Sequence, residues 1–271
     1  MDRESPLGRQ VSGSAQYDRT LLFPLARSEG RACLGLGEGA LPFCGTDVWH
    51  GYELSWLEAG GRPRVAVGRI EVPAESPRMV ESKSLKLYLN SFNGSTFAGT
   101  EAVRETIARD LGEATGGAVA VTLAGLDDPA FQGVAAPGEC IDEAPLAGPV
   151  DAPARELLRV DGGAQVEETL HSHLLRSLCP VTAQPDWATV VVSYRGPRLD
   201  RGALLSYLVA FREHQDFHEQ CVERMFLALA AVLSPEALAV QALYTRRGGL
   251  DISPWRSSEP GKAPQYRLHR Q

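Results

Sequence analysis

A cysteine followed seven positions later by an aspartate, Cys179 and Asp186, brackets the segment best equipped for covalent chemistry. A thiolate is a strong nucleophile, and a nearby carboxyl can protonate the group it attacks. Val166, Leu170, Leu174 and Leu178 recur at helical spacing and predict a helix over 165–178. Pro180 stops it just past Cys179. Trp187–Arg195 is rich in β-branched residues and predicts a strand. A proline-stiffened loop between them can bring thiol and carboxyl into one pocket. The same residues also fit a packed cysteine and a solvated loop aspartate.

Three further clusters carry polar chemistry. In Phe217–Glu223, Asp216 is expected to cap a helix whose first turn holds His218 and Glu219. A carboxylate there can accept the paired N–H edge of a heterocycle, or simply favour the positive end of the helix. A metal held by His218 and Cys221 would need two more ligands that the sequence does not offer. The run Glu81–Asn93 alternates Leu85, Leu87 and Leu89 with polar residues and predicts a strand over 83–90. Lys83, Lys86 and the serines would line a cationic groove or form a wet strand face. Tyr244–Asp251 joins paired arginines, Arg246 and Arg247, to Gly248 and Gly249. Guanidinium donors beside an approachable backbone suit a phosphate, and a charged strand end before a tight turn fits as well.

The elements around these clusters alternate. Residues 1–50 look irregular. Strands are expected at Arg64–Val72, Ala118–Leu126 and Leu238–Thr245. Helices are expected from Thr100 to Leu111, after Asp200 to Arg212, and after Asp216 to Leu233. Two halves with a similar order of elements, divided near residue 150, give an α+β class of antiparallel sheets backed by helices. The expected domains are 1–150 and 151–271. The run Gly35–Gly39 lacks Rossmann spacing and follows no strand.

Bulk properties narrow the function. The 271 residues are 44% hydrophobic, enough for one large domain or two small ones. A net charge of −7 argues against a nucleic-acid binder. No run of about 18 apolar residues occurs, and residues 1–25 lack the apolar centre of a signal peptide. Five widely spaced cysteines without a C-x-x-C pair point to free thiols in a reducing cytoplasm.

Taken together, the clusters resemble the long, two-module form of the NADPH-dependent 7-cyano-7-deazaguanine reductases, the nitrile reductases of queuosine synthesis. The resemblance rests on Glu81–Asn93, on Cys179 with Pro185-Asp186-Trp187, on Phe217–Glu223 and on Arg246–Asp251. It extends through Pro254-Trp255-Arg256-Ser257, and from Gly45-Thr46-Asp47 through Tyr52–Trp56. It implies tandem tunnelling-fold modules and a homodimer. It implies that Cys179 attacks the nitrile to give a thioimide, that Asp186 supplies the proton, and that two NADPH are used per substrate, with no metal. His218 and Glu219 would bind the substrate ring, and Val80, Glu81 and Ser82 would contact it from the other half. Ser82, Lys83, Arg247 and Gly248 would face NADPH. No direct contact with nucleic acid or membrane is implied. A cyclohydrolase-like relative would need a metal set instead, and a scaffold without turnover would not need Cys179, Asp186 and Glu219 together.

Overall fold

The hydrophobic pattern resolves into one run of elements used twice. The computed structural model describes residues 16–37, 39–146, 148 and 151–271. They divide into two compact units. Unit 1 holds the described residues up to Ala40, with Thr46–Gln132 and Arg246–Ile252; unit 2 holds Leu41–Gly45, Gly133–Thr245 and Ser253–Gln271. Residues 149 and 150, where the division is expected, lie outside the described residues, and the change from unit 1 to unit 2 falls between Gln132 and Gly133.

Unit 1 runs β1 (Pro24–Ala26), α1 (Arg27–Cys33), β2 (Cys44–Leu57), β3 (Pro63–Pro73), β4 (Arg78–Val80), α2 (Ser82–Asn90), α3 (Thr100–Thr115) and β5 (Ala120–Ala124). Strands β5, β3 and β2 are neighbours in that order, all antiparallel, and β1 pairs with β4. Trp49, Leu54, Trp56 and Ile70 on the strands pack against Leu85, Tyr88, Phe92, Val103 and Ile107 on the helical side. Full burial of each such side chain stabilises by roughly 1.5–3 kcal/mol before entropy is counted. The buried Asp110 carboxylate accepts hydroxyl hydrogen bonds from Tyr17 and Tyr88 at 2.5 and 2.7 Å, so this charge is not orphaned.

Unit 2 runs β6 (Glu139–Cys140), β7 (Val160–Leu178), β8 (Pro185–Leu199), α4 (Arg201–Val209), α5 (His218–Leu233), β9 (Ala237–Tyr244) and β10 (Leu250–Ser257), the first residues of β10 belonging to unit 1. The strand order is β10-β9-β8-β7-β6, antiparallel except for β6 beside β7. Leu175, Val190, Val192 and Val240 on the strands, and Leu204, Phe211, Val222, Met225 and Leu229 on the helical side, are all buried.

The two units repeat each other closely. In unit 1 a hairpin precedes a 9-residue helix, a 4-residue 3-10 turn and a 16-residue helix; unit 2 has the same three lengths. The hairpins match in register, Leu57 facing Pro63 and Leu178 facing Pro185. Each carries a bulge at the equivalent place, between Gly51 and Leu54 and between Ser172 and Leu175. The α+β class of antiparallel sheets and helices is the one expected from the sequence.

Several local expectations give way. Residues 83–90 form helix α2, not a strand. Ser84, Leu85, Tyr88 and Leu89 are its buried face, a helical stripe that the alternation of leucines obscures. Residues 165–178 form strand β7, not a helix. A spacing of four is also a multiple of two, so it places side chains on one face of either element. The caps shift by one residue: Gly99 rather than Thr100 precedes α3, and Phe217 rather than Asp216 precedes α5, Asp216 instead accepting the Phe217 amide at 3.1 Å. Residues 1–50 are not uniformly irregular, since β1, α1 and the start of β2 lie there.

Candidate active site

Cys179 follows β7 directly and faces back across the hairpin. Its amide donates to the Gln184 carbonyl at 2.9 Å, and the Ala183 amide donates to the Cys179 carbonyl at 3.0 Å. Ala183 adopts φ 54°, which closes this four-residue turn at some cost for a residue with a Cβ. Ser177 lies opposite Asp186 in the ladder. Opposed residues share a face, and so do alternate residues along a strand, so Cys179, Ser177 and Asp186 project to one side. Tyr244 of β9, opposite Ala188, projects to that side too. The two residues flank the turn of one β-hairpin, Cys179 just past β7 and Asp186 at the start of β8, rather than a helix end and a strand start. Cys179 and Asp186 are each 6% exposed.

Helix α5 covers this end of the sheet with its first turn. His218 Nε2 lies 3.2 Å from Asp186 Oδ2. The His218 ring stacks on Tyr244, centroids 3.7 Å apart and planes within 11°. His218 is thus fixed against the carboxylate and not paired with Cys221. Its buried Nδ1 has no hydrogen-bond partner among the described residues, a polar atom available to a ligand. Glu219, beside it, is 4% exposed.

Cys221 sits deeper, fully buried with Ser177 and Tyr244. Burial, and then the Asp216 charge, push its thiol well above the usual cysteine range. It is held as a thiol and cannot compete as a nucleophile. Cys221→Ala should therefore keep most of its activity while losing about 1 kcal/mol of stability to the small void. Turnover and a thermal melt of that variant check both parts.

In unit 1 the expected residues take other positions. Val80 ends β4, and Glu81 caps α2. Its two carboxylate oxygens accept the amides of Lys83 and Ser84 at 2.7 and 2.8 Å, and the Ser82 hydroxyl donates to it at 3.3 Å. The Ser84 hydroxyl returns a bond to the Glu81 carbonyl at 2.6 Å. Glu81→Ala should cost about 1–2 kcal/mol by uncapping the helix. A melting temperature unchanged by Glu81→Ala would show the cap to be idle.

Arg247 and Leu250 close a two-residue turn in which Gly248 and Gly249 have φ of 64° and 79°. Both central residues of such a turn need positive φ, which glycine supplies without strain. A Cβ on Gly249 would lie 2.4 Å from Glu53 Cδ, and one on Gly248 would lie 3.0 Å from Lys86 Nζ. The turn thus lies against α2, which carries Lys83 and Lys86 one turn apart. Arg246 lies over the Tyr52 ring at 4.6 Å. Lys86, Arg246 and a bare backbone meet here with Glu53 beside them, a cationic turn that suits a phosphate.

The repeat shows what the active hairpin has gained. Unit 1 keeps its backbone: the Glu58 amide donates to the Arg62 carbonyl at 2.9 Å, as Cys179 does to Gln184. Glu58 and Arg64 occupy the places of Cys179 and Asp186, and form a 2.7 Å ion pair. The thiol and carboxyl at these places thus occur in unit 2, and an ion pair replaces them in unit 1.

Residues 14–123 match the family model described as nitrile reductase, 7-cyano-7-deazaguanine-reductase N-terminal, and residues 185–263 match the one described as QueF-like protein. A protein of Chromohalobacter salexigens named NADPH-dependent 7-cyano-7-deazaguanine reductase is 55% identical, over 98% of this chain and 96% of that protein. One of the same name from Chromobacterium violaceum is 52% identical, over 94% of this chain and 91% of that protein. The chain belongs to the 7-cyano-7-deazaguanine reductase family. Among solved structures, the apo form of an archaeosine synthase QueF-Like aligns over 37% of this chain and 100% of its own, with 18% identity and a TM-score of 0.32. Among the described residues, no helix is long and apolar enough to cross a membrane.

Two features of this family member were missed from sequence. Tyr244 was seen only as the start of an arginine cluster, yet it is the platform under His218. The ion pair of Arg256 with Glu223, at 2.9 Å, joins two motif residues whose charges gave no sign of being buried together.

Proposed function

We propose that this chain reduces the nitrile of 7-cyano-7-deazaguanine to the primary amine, 7-aminomethyl-7-deazaguanine, with NADPH as reductant, in the route to queuosine in tRNA. The observation that carries this reading is the shared face of Cys179 and Asp186, with His218 clamped against the carboxylate. Family membership over nearly the whole chain supports it.

Each residue then has a task. The Cys179 sulfur attacks the nitrile carbon, and electron density moves to the nitrogen, which takes a proton from Asp186. The result is a covalent thioimide on Cys179. NADPH supplies hydride to carbon, once to the thioimide and once to the imine left when the C–S bond breaks. Two NADPH and two protons are therefore consumed per amine. His218, fixed by the Tyr244 stack, holds Asp186 in place. Glu219 accepts the amino and ring N–H groups of the guanine-like ring. On the family resemblance, Val80, Glu81 and Ser82 also serve the substrate. Ser82, Lys83, Arg247 and Gly248 serve NADPH, whose 2′-phosphate suits the cationic turn of unit 1. No metal is assigned to the nitrile chemistry. We read both units as tunnelling-fold modules, and the protein as a cytoplasmic homodimer.

The test is turnover with both nicotinamide cofactors. The expected result is two NADPH oxidised per amine formed, with NADH far less efficient and NADPH binding weakened by salt. Equal efficiency with NADH would remove the role given to the arginines. A ratio of one would reject the four-electron reaction.

The ring contact is testable apart from turnover. Removing one charged partner of a buried hydrogen-bonded set costs about 2–5 kcal/mol. Glu219→Gln and Glu219→Leu should each weaken substrate binding by tenfold or more. The fold should survive, because a first-turn carboxylate adds only about 0.3–1 kcal/mol through the helix dipole. Calorimetric titration beside a thermal melt separates the two effects, and unchanged substrate affinity would return Glu219 to a helix-start acid.

A further inference from the structure

On the other face of the unit 2 sheet, three metal-binding side chains that no catalytic step uses converge. Each of Cys140, His171 and His173 places a donor atom within 4.8 Å of the others. Cys140 comes from β6, which runs parallel to β7 with Cys140 beside His171. His171 and His173 alternate on β7. His171 pairs with Val191, and His173 reaches Thr189, both odd-numbered positions of β8, whereas Asp186 and Ala188 point to the helical face. The cluster is therefore separated from Cys179 by the sheet itself.

Both rings are held as metal ligands are held. His171 Nδ1 lies 2.8 Å from the Pro137 carbonyl oxygen. A carbonyl only accepts, so Nδ1 carries the hydrogen and Nε2 keeps the lone pair. His173 Nδ1 lies 2.8 Å from Thr189 Oγ1, which holds the ring in place, and with the hydroxyl as acceptor Nε2 carries the lone pair. Orienting one ring nitrogen by an oxygen acceptor is the usual outer shell of a metal-bound histidine. His171 is 8% exposed, so its lone pair is largely withdrawn from water. The Asp142 carboxylate accepts the Ser172 hydroxyl and the His173 amide at 2.6 and 3.1 Å, fixing the backbone between the rings.

The approach of Cys140 is also built in. Gly138 has φ +76°, and a Cβ there would lie 2.0 Å from the Thr169 carbonyl oxygen. The segment can lie flush on β7 only because that residue is glycine. The repeat shows that the fold alone does not require the cluster. In unit 1 the positions equivalent to His171 and His173 are His50 and Tyr52, and both bond the buried Asp251 carboxylate. There a carboxylate satisfies the ring; in unit 2 a thiol and a second imidazole face it.

We propose that Cys140, His171 and His173 form a binding site for a zinc-class divalent cation, with a fourth coordination position open at the Cys140 side. One thiolate and two imidazoles match the donor preference of zinc and cobalt, and three protein ligands leave a place for water or an exchangeable ligand. Binding releases the thiol proton, so it strengthens as pH rises. A bound cation ties β6 and the segment before it to β7. It departs from the metal-free chain expected from sequence, without entering the nitrile chemistry.

The test uses the full chain carrying Cys179→Ser, so that the nucleophile contributes no thiolate. Titration with Co2+ alone should give a saturable thiolate-to-cobalt charge-transfer band with one ion per chain, displaced by Zn2+. Adding Cys140→Ser, a change at an exposed position, should abolish the band. His171→Ala should weaken binding by about tenfold or more. In the chain with Cys179 intact, Zn2+ should raise the melting temperature, and Cys140→Ser should remove that rise while leaving turnover unchanged. No saturable band, or a band indifferent to Cys140→Ser or to His171→Ala, would overturn the proposal.

Discussion

Replacing Cys179 with alanine should abolish NADPH oxidation while leaving substrate binding within a few-fold of the native protein. In the proposed mechanism the Cys179 sulfur forms the covalent bond to the nitrile carbon, and Cys221, whose thiol burial pushes well above the usual cysteine range, does not replace it. Removing a nucleophile costs several orders of magnitude in rate, because no other group in the site takes over its bond. The ring contacts proposed for Glu219 and His218 do not depend on the sulfur, so affinity should persist. Cys179 lies at a strand end and is a small side chain, so the fold should tolerate alanine. The measurement is steady-state NADPH oxidation beside substrate titration. Retained turnover in Cys179→Ala would move the chemistry elsewhere, and lost binding would make the residue a packing element instead.

The largest stability effect is expected at Glu223. Arg256 and Glu223 are 0% and 2% exposed and paired at 2.9 Å, with a second bond from Arg256 Nε at 3.1 Å. Arg256 also donates to the Trp255 carbonyl at 3.0 Å. Breaking a buried pair from one side leaves an uncompensated charge and costs about 3–5 kcal/mol. Replacing both partners by apolar residues of similar volume is often neutral. Glu223→Ala should therefore unfold at much lower denaturant than the native chain, and Glu223→Leu with Arg256→Met should recover most of the loss. Glu223 sits one helical turn beyond Glu219 on α5, so the single variant should also loosen the substrate-binding turn. A single variant within about 1 kcal/mol of native would mean that water reaches the pair.

The sequence marks the positions of turns and strand starts around the candidate residues better than it marks the elements that lead into them. The turn between Cys179 and Asp186, the strand that follows it and the first turn of α5 with Glu219 are legible because proline, aspartate and β-branched residues mark turns and strand starts. Strand β7 was misassigned because its apolar residues recur every fourth position, which serves helix and strand alike. Helix α2 was misassigned because Leu85, Leu87 and Leu89 alternate, and because its cap is a glutamate rather than a commoner capping residue. Strand β2 carries a bulge at Gly51 that breaks its alternation. The cluster of Cys140, His171 and His173 was invisible for another reason: Cys140 joins the histidines only through a parallel strand pair, which leaves no local spacing to read.

The central claim is a covalent bond between Cys179 and the nitrile carbon, and one measurement meets it directly. The protein is mixed with 7-cyano-7-deazaguanine in the absence of NADPH, and its intact mass is recorded. Addition across a nitrile expels nothing, so the mass should rise by that of the whole substrate. The gain should vanish in Cys179→Ala and on adding NADPH, which carries the thioimide forward to the amine. An unchanged mass in the native protein, or the same gain in Cys179→Ala, would contradict the assignment.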